Sequence, residues 1–122
     1  MINIKNKPLL SNFDSVLSPL EADVLNMLWP DKAMRVREIY AKLKGKRKVA
    51  LSSVAVILDR LHERSIVDRK VETGRGGMRY IYSPRQDQRG FEKSVIENTV
   101  NTLMDKFGTT AISYFNERFA KR

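Results

Sequence analysis

Residues 51–64, LSSVAVILDRLHER, decide how the rest of the chain is read. Val54, Ile57, Leu58 and Leu61 recur at i, i+3, i+4 and i+7, so one side of a helix is apolar and needs a core to bury against. Off that stripe stand Ser52, Ser53, Val56 and, one turn after Val56, Arg60. A helix that is apolar behind and small or cationic in front fits a major groove, because bulky front residues would hold it away from the base edges. An ordinary surface helix has the same pattern, so the surroundings have to decide.

Immediately before this helix runs Lys44-Gly45-Lys46-Arg47-Lys48, with four cations in five residues. Such runs are usually solvated, but here Lys46, Arg47 and Lys48 are placed for phosphate contacts, which fix register and carry no sequence information. GKRK is no phosphate-binding P-loop, since the first glycine and the Ser/Thr after the Gly-Lys pair are missing. Further back, Ser18-Pro19-Leu20-Glu21 is a strong helix start: Ser18 caps, Pro19 suits the first position and Glu21 closes a capping box. That helix is expected to run to about Trp29 with Leu20, Val24, Met27 and Leu28 inward, and Pro30 stops it. Trp29 is read as a core residue. Met34-Arg35-Val36 is readable as a very short strand. Arg37 to Lys44 reads as a second helix with Val36, Ile39, Tyr40 and Leu43 on its apolar side. The third helix starts weakly, because Ala50 is a poor cap; either Ser52 caps late or packing holds the end. Residues 1–12 read as a loosely docked arm whose Lys5 and Lys7 are more simply solvated than bound, with Phe13 and Leu17 packing under the first helix.

After Arg64 the period changes from 3.6 to 2. Val67, Arg69 and Val71 alternate with Asp68, Lys70 and Glu72, and Tyr80 and Tyr82 alternate with Arg79 and Ile81. Thr73-Gly74-Arg75-Gly76-Gly77 between them predicts a hairpin with Arg75 at its tip and Pro84 at its end. Helix, short strand, helix, helix, hairpin is the order of a winged helix-turn-helix, in which the third helix enters the major groove and the wing rests on the backbone. Arg75 and Arg79 of the wing are the expected phosphate contacts there.

Residues 86–122 have another character. Phe91, Val95, Ile96, Val100, Leu103, Met104 and Phe107 mark a long amphipathic helix, Gly108 breaks it, and Ile112, Phe115 and Phe119 mark a short second one. Two helices cannot bury this much apolar side chain between themselves. The expected partner is the same segment of a second chain; the alternative is that both helices fold back on their own domain. The expected fold is therefore mostly α with a small β-hairpin wing. A winged helix-turn-helix domain with its arm occupies residues 1–84, and a C-terminal helical dimerisation segment occupies 85–122.

Charge supports this reading. Between Arg35 and Arg89 stand 15 Lys and Arg against 6 Asp and Glu, which accounts for all of the chain's net charge of +9. A basic segment flanked by neutral ones is the footprint of a surface for a polyanion. With 122 residues and 42% hydrophobic content the chain holds one domain, or one small domain and an oligomerisation tail. It has no cysteine, no apolar run near membrane-spanning length and no signal-peptide pattern at its start, and a cytoplasmic location is expected. His62 is the sole histidine, and Glu38, Asp59 and Glu63 are scattered helix-face acids. No pair of groups stands at a spacing useful for catalysis, so no enzyme, metal or cofactor is expected.

Leu17-Ser18-Pro19-Leu20-Glu21-Ala22-Asp23-Val24-Leu25-Asn26-Met27-Leu28-Trp29 resembles the first-helix signature of the penicillinase-repressor family. Val36-Arg37-Glu38-Ile39 resembles its second helix. Ser52-Ser53-Val54 with Leu58-Asp59-Arg60-Leu61 resembles its recognition helix, and Arg79-Tyr80-Ile81-Tyr82-Ser83-Pro84 resembles its wing. The resemblance covers Leu17 to Phe119. It implies a homodimeric repressor on a palindromic double-stranded DNA operator, with base and phosphate contacts at Ser52, Ser53, Val56 and Arg60. Two positions depart from the pattern. Val56 stands where the family often has threonine, and Asp59 where it often has a basic or neutral residue. Some relatives are cleaved after an asparagine in the dimerisation segment when a membrane sensor is triggered. Asn116 falls near that position, but Glu117 follows it instead of an apolar residue, so that mechanism is not carried over. Copper-responsive relatives use a cysteine-rich tail, which this chain lacks. The inducing signal, and any upstream sensor or protease, stay open. The alternative function is a winged-helix module that binds DNA or RNA without sequence preference.

Overall fold

The first two helices start at local capping signals, whereas the third is set by packing. The computed structural model describes residues 17–120; the arm, with Lys5, Lys7 and Phe13, lies outside them. In order these residues form α1 (Pro19–Leu28), β1 (Met34–Arg35), α2 (Val36–Leu43), α3 (Leu51–Glu63), β2 (Val67–Gly74), β3 (Gly77–Pro84), α4 (Gln88–Phe107) and α5 (Thr109–Ala120). At α1 the capping box is complete. The Ser18 hydroxyl accepts from the Glu21 N–H at 3.2 Å and the Glu21 carboxylate accepts from the Ser18 N–H at 2.8 Å. At α2 the Glu38 carboxylate accepts from the Arg35 N–H at 2.8 Å. The start of α3 has no side-chain cap. The Ala50 carbonyl accepts from the N–H groups of Ser53 and Val54, and Val54 is fully buried one turn in, so packing holds this end and Ser52 stays free.

Two compact units emerge, residues Leu17–Phe91 and the segment from Glu92 onward. The core of the first is built from Val24, Leu25 and Leu28 of α1, Ile39 and Leu43 of α2, Val54, Leu58 and Leu61 of α3, and Val67 of β2, all fully buried. Burying each such side chain contributes roughly 1.5–3 kcal/mol relative to exposure. The inward face of α1 differs from the expected one: Leu25 is fully buried, whereas Leu20 and Met27 only flank the core. The buried stripe is rotated by part of a turn, and a period of 3.6 fixes a stripe more firmly than its centre.

The sheet is antiparallel in the order β1-β3-β2. Met34 lies opposite Tyr82 and Arg35 opposite Ile81, which pins the short strand and the α2 start to the wing. The hairpin turn is tighter than the expected five-residue connection. Thr73 still pairs with Met78 and Gly74 with Gly77, leaving Arg75-Gly76 as a two-residue turn. Gly76 and Gly77 carry φ of 126° and 107°, a region that glycine enters without steric cost.

In the second unit the expected single apolar stripe on α4 is not continuous. At about 100° per residue, Ile96, Val100, Leu103, Met104 and Phe107 fall within an arc of roughly 100°, whereas Phe91 lies on about the opposite side. Phe91 belongs to the winged unit, where its ring packs on Trp29 with centroids 5.7 Å apart. It is therefore a core-flanking residue, not part of the tail's apolar face as expected. Gly108, at φ 52°, ends α4 by donating to the Met104 carbonyl at 2.8 Å and opens α5 by accepting from Ala111 and Ile112. Among the described residues no helix is long and apolar enough to cross a membrane.

Candidate nucleic-acid interface

The burial of Val54, Leu58 and Leu61 turns the opposite side of α3 to solvent, and with it Ser52, Ser53, Val56 and Arg60. Ser53, Val56 and Arg60 fall within an arc of roughly 60° at about 100° per residue. Val56 stays 48% exposed in mid-helix, an apolar side chain offered to solvent beside a cation. Ser52 turns to the neighbouring side, where with Leu51 and Ala55 it lines a cleft toward the wing.

The cations around this face divide into two kinds. Lys46 and Lys48 in the loop before α3, Arg60 on it and Arg75 at the wing tip make no ion pair or side-chain hydrogen bond among the described residues. Arg47 and Arg79 are already engaged. Arg47 pairs with Asp23 of α1, tying the basic loop to the first helix. Arg79 lies 3.9 Å from the Glu72 carboxylate, which Arg35 also approaches at 3.6 Å. Within the fold, then, Arg47 and Arg79 have a structural partner, and either must exchange or share it to reach a phosphate.

Asp59 explains itself in three dimensions. Arg69 of β2 donates to its carboxylate at 3.0 Å and lies over the Tyr80 ring at 4.2 Å. The Tyr82 hydroxyl holds the Arg69 guanidinium more firmly protonated than usual against the opposing effect of desolvation, and Asp59 adds to it. The acid that looked out of place on a groove-reading helix therefore points at the wing and is neutralised there. Behind it, Arg64 donates to Glu21 at 3.3 Å and joins the end of α3 to the start of α1.

Arg35, Arg37 and Arg69 were not singled out from the sequence. Arg37 had a usable signal, being the cation in the first turn of the helix that precedes α3. Arg69 had none, because its position in the alternation says only which face it takes. The tail residues Ile96, Phe107, Ile112 and Phe119 are exposed, between 42% and 63%, and Tyr114, which the sequence reading passed over, joins them at 55%. Val95, Val100, Leu103, Met104 and Phe115 are half-buried. Phe115 stacks on Phe119 with centroids 6.4 Å apart.

Residues 17–120 match the family described as penicillinase repressor. The chain belongs to the penicillinase-repressor family. Solved structures agree on the fold. A possible transcriptional regulator from Methanosarcina mazei Go1 superposes with a TM-score of 0.62 at 22% identity, covering 80% of this chain and 79% of that one. A PadR family transcription regulator from Clostridium difficile R20291 gives 0.52 at 15% identity, with 74% and 98% covered. The reduced form of the regulator YodB from B. subtilis gives 0.50 at 18% identity, with 88% and 95% covered. No curated protein matches the chain. Within the penicillinase-repressor family this chain is a winged-helix transcriptional regulator, and the fold expected from the helix–strand–helix–helix–hairpin order is the observed one.

Proposed function

We propose that the chain is a sequence-specific, homodimeric repressor that acts by occupying a dyad-symmetric operator and blocking polymerase. The observation that carries this reading is the outer face of α3. Ser53, Val56 and Arg60 stand exposed there, backed by the fully buried Val54, Leu58 and Leu61 and flanked by Lys46, Lys48 and Arg75, which have no ion pair among the described residues. In this reading Ser52, Ser53 and Val56 meet base edges and sugar-phosphate, with Val56 suited to a thymine methyl. Arg60 reads a base, and Lys46, Lys48 and Arg75 hold phosphates, joined by Arg47 and Arg79 once they leave their carboxylates. The exposed apolar residues of α4 and α5 pair two chains. The protein works in the cytoplasm, with double-stranded DNA and a second copy of itself as partners.

Gel shifts across salt concentration test the surface. With about six phosphates neutralised, affinity falls roughly as the fifth power of salt concentration. A nearly flat dependence counts against it. An operator recovered from genomic fragments should resist a large excess of random duplex; a complex competed away evenly is that of a non-specific nucleic-acid binder. Arg60→Ala should weaken operator binding by roughly 1–3 kcal/mol and random-duplex binding much less. Equal losses on both would show that Arg60 only positions the protein.

A further inference from the structure

Between the start of α3, the start of α2 and the wing lies a cleft of about 630 Å³. That volume falls inside the range of roughly 300–1,000 Å³ typical of small-molecule sites. Its walls are largely hydrocarbon: Val36, Leu51, Ala55, Met78 and Tyr80. Met78 is 75% exposed and Tyr80 45%, so the wing presents apolar side chains that the domain's own core does not cover. A phosphodiester track asks for donors at every step, and methyl groups and ring faces supply none. The charged groups stand with the apolar walls. No acid is among the lining residues, Arg35 and Arg79 share the Glu72 carboxylate with Glu38 also 4.0 Å from Arg35, and Arg37 has no side-chain partner among the described residues. Hydrocarbon walls with surplus guanidinium complement a molecule that is apolar along its body and negative at one end.

We propose that this cleft binds an amphiphilic organic anion, its apolar body between Ala55 and Met78 and its charge on Arg37, and that this occupant excludes DNA from the recognition helix. The second half rests on the DNA-binding reading, because Ser52 lines the cleft and also belongs to the candidate DNA face. The first half stands without it. Binding there links occupancy of the protein by a metabolite to release of a duplex without any second domain, since two ligands that compete for one surface are coupled by mass action.

The probe is 8-anilinonaphthalene-1-sulfonate, an aromatic body with one sulfonate, titrated by fluorescence into the full chain. Because the apolar tail also attracts this dye, the comparison is between variants. Ala55→Phe, which fills the cleft, and Met78→Glu, which sets a carboxylate on an exposed strand position, should each weaken the saturable binding at least about tenfold, and Arg37→Gln about threefold or more. Met78→Glu carries the test by itself if Ala55→Phe does not fold, as judged by circular dichroism. Titrations that are unchanged in the folded variants overturn the site. A short random duplex should displace the dye. A duplex that binds in a gel shift without displacing it overturns the exclusion, whereas a protein that binds no duplex overturns the DNA reading and leaves the cleft to be decided by the variants.

Discussion

Asp59 precedes Arg60 on the candidate recognition helix, where an uncompensated carboxylate would oppose the approach of a polyanion. Its partner, Arg69, reaches across from the wing, and the pair is too exposed, at 55% for the Asp59 side chain, to add much to stability. Its effect belongs to the local field. Arg69→Ala should lower duplex affinity several-fold, about 3–10-fold at low salt, and adding Asp59→Asn should restore most of it. Gel shifts on the single and double variants decide; no recovery in the double variant would mean that Arg69 itself holds the duplex and that charge compensation is not its role. At this scale the sequence was legible where partners are neighbours in the chain. Ser18 and Glu21 are three residues apart and their reciprocal bonds follow from that spacing. Arg47 with Asp23 and Arg69 with Asp59 are joined by tertiary packing alone, and nothing local announces them.

Helices and strands were readable to the extent that one residue pattern allowed one geometry. The stripe on α3 admits only a helix with its front exposed, and the observed helix keeps that front. The wing glycines were less decisive, because glycine permits positive φ without enforcing it; Gly74 stays paired with Gly77, so the turn shrinks to Arg75-Gly76. A two-residue strand such as Met34–Arg35 has no period to read, and its partner on β3 is visible only in the fold. Gly108 is the element boundary where sequence and backbone agree most directly. At φ 52° an added Cβ would meet nothing within 4 Å, so a substitution there is opposed by backbone conformation and not by crowding. Gly108→Ala should therefore destabilise the chain by about 1–2 kcal/mol, and Gly108→Asn by less, since asparagine enters the left-handed region more readily. Urea unfolding at one fixed protein concentration measures both. Equal losses for Ala and Asn would point to a different cause, such as altered packing between chains.

For the whole molecule the question is what covers the apolar arc of α4 and the neighbouring face of α5. A winged unit has already closed its own core around Leu25, Leu28, Ile39, Leu43, Leu58 and Leu61, and it draws Phe91 in on Trp29 as well. Ile96, Phe107, Ile112, Tyr114 and Phe119 stay exposed, a cost that a second copy would remove by setting the same face against itself, as a two-fold interface requires. Such pairing would also give the proposed recognition surface useful affinity. One recognition helix with three outward side chains discriminates weakly, whereas two held a helical turn of DNA apart, roughly 34 Å, make the second contact intramolecular. Carboxylates at Phe107 and Ile112 oppose such pairing. Phe107→Glu with Ile112→Glu should give a species that sediments as one chain at concentrations where the wild type is paired. Its affinity for a full dyad site should fall by about 10²–10⁴, toward its affinity for a half-site. If the variant still pairs, the interface lies elsewhere. If it is single and holds the full site as tightly as before, then two helices are not needed to read the operator, and the exposed arc of α4 serves some purpose other than bringing a second reading head to the DNA.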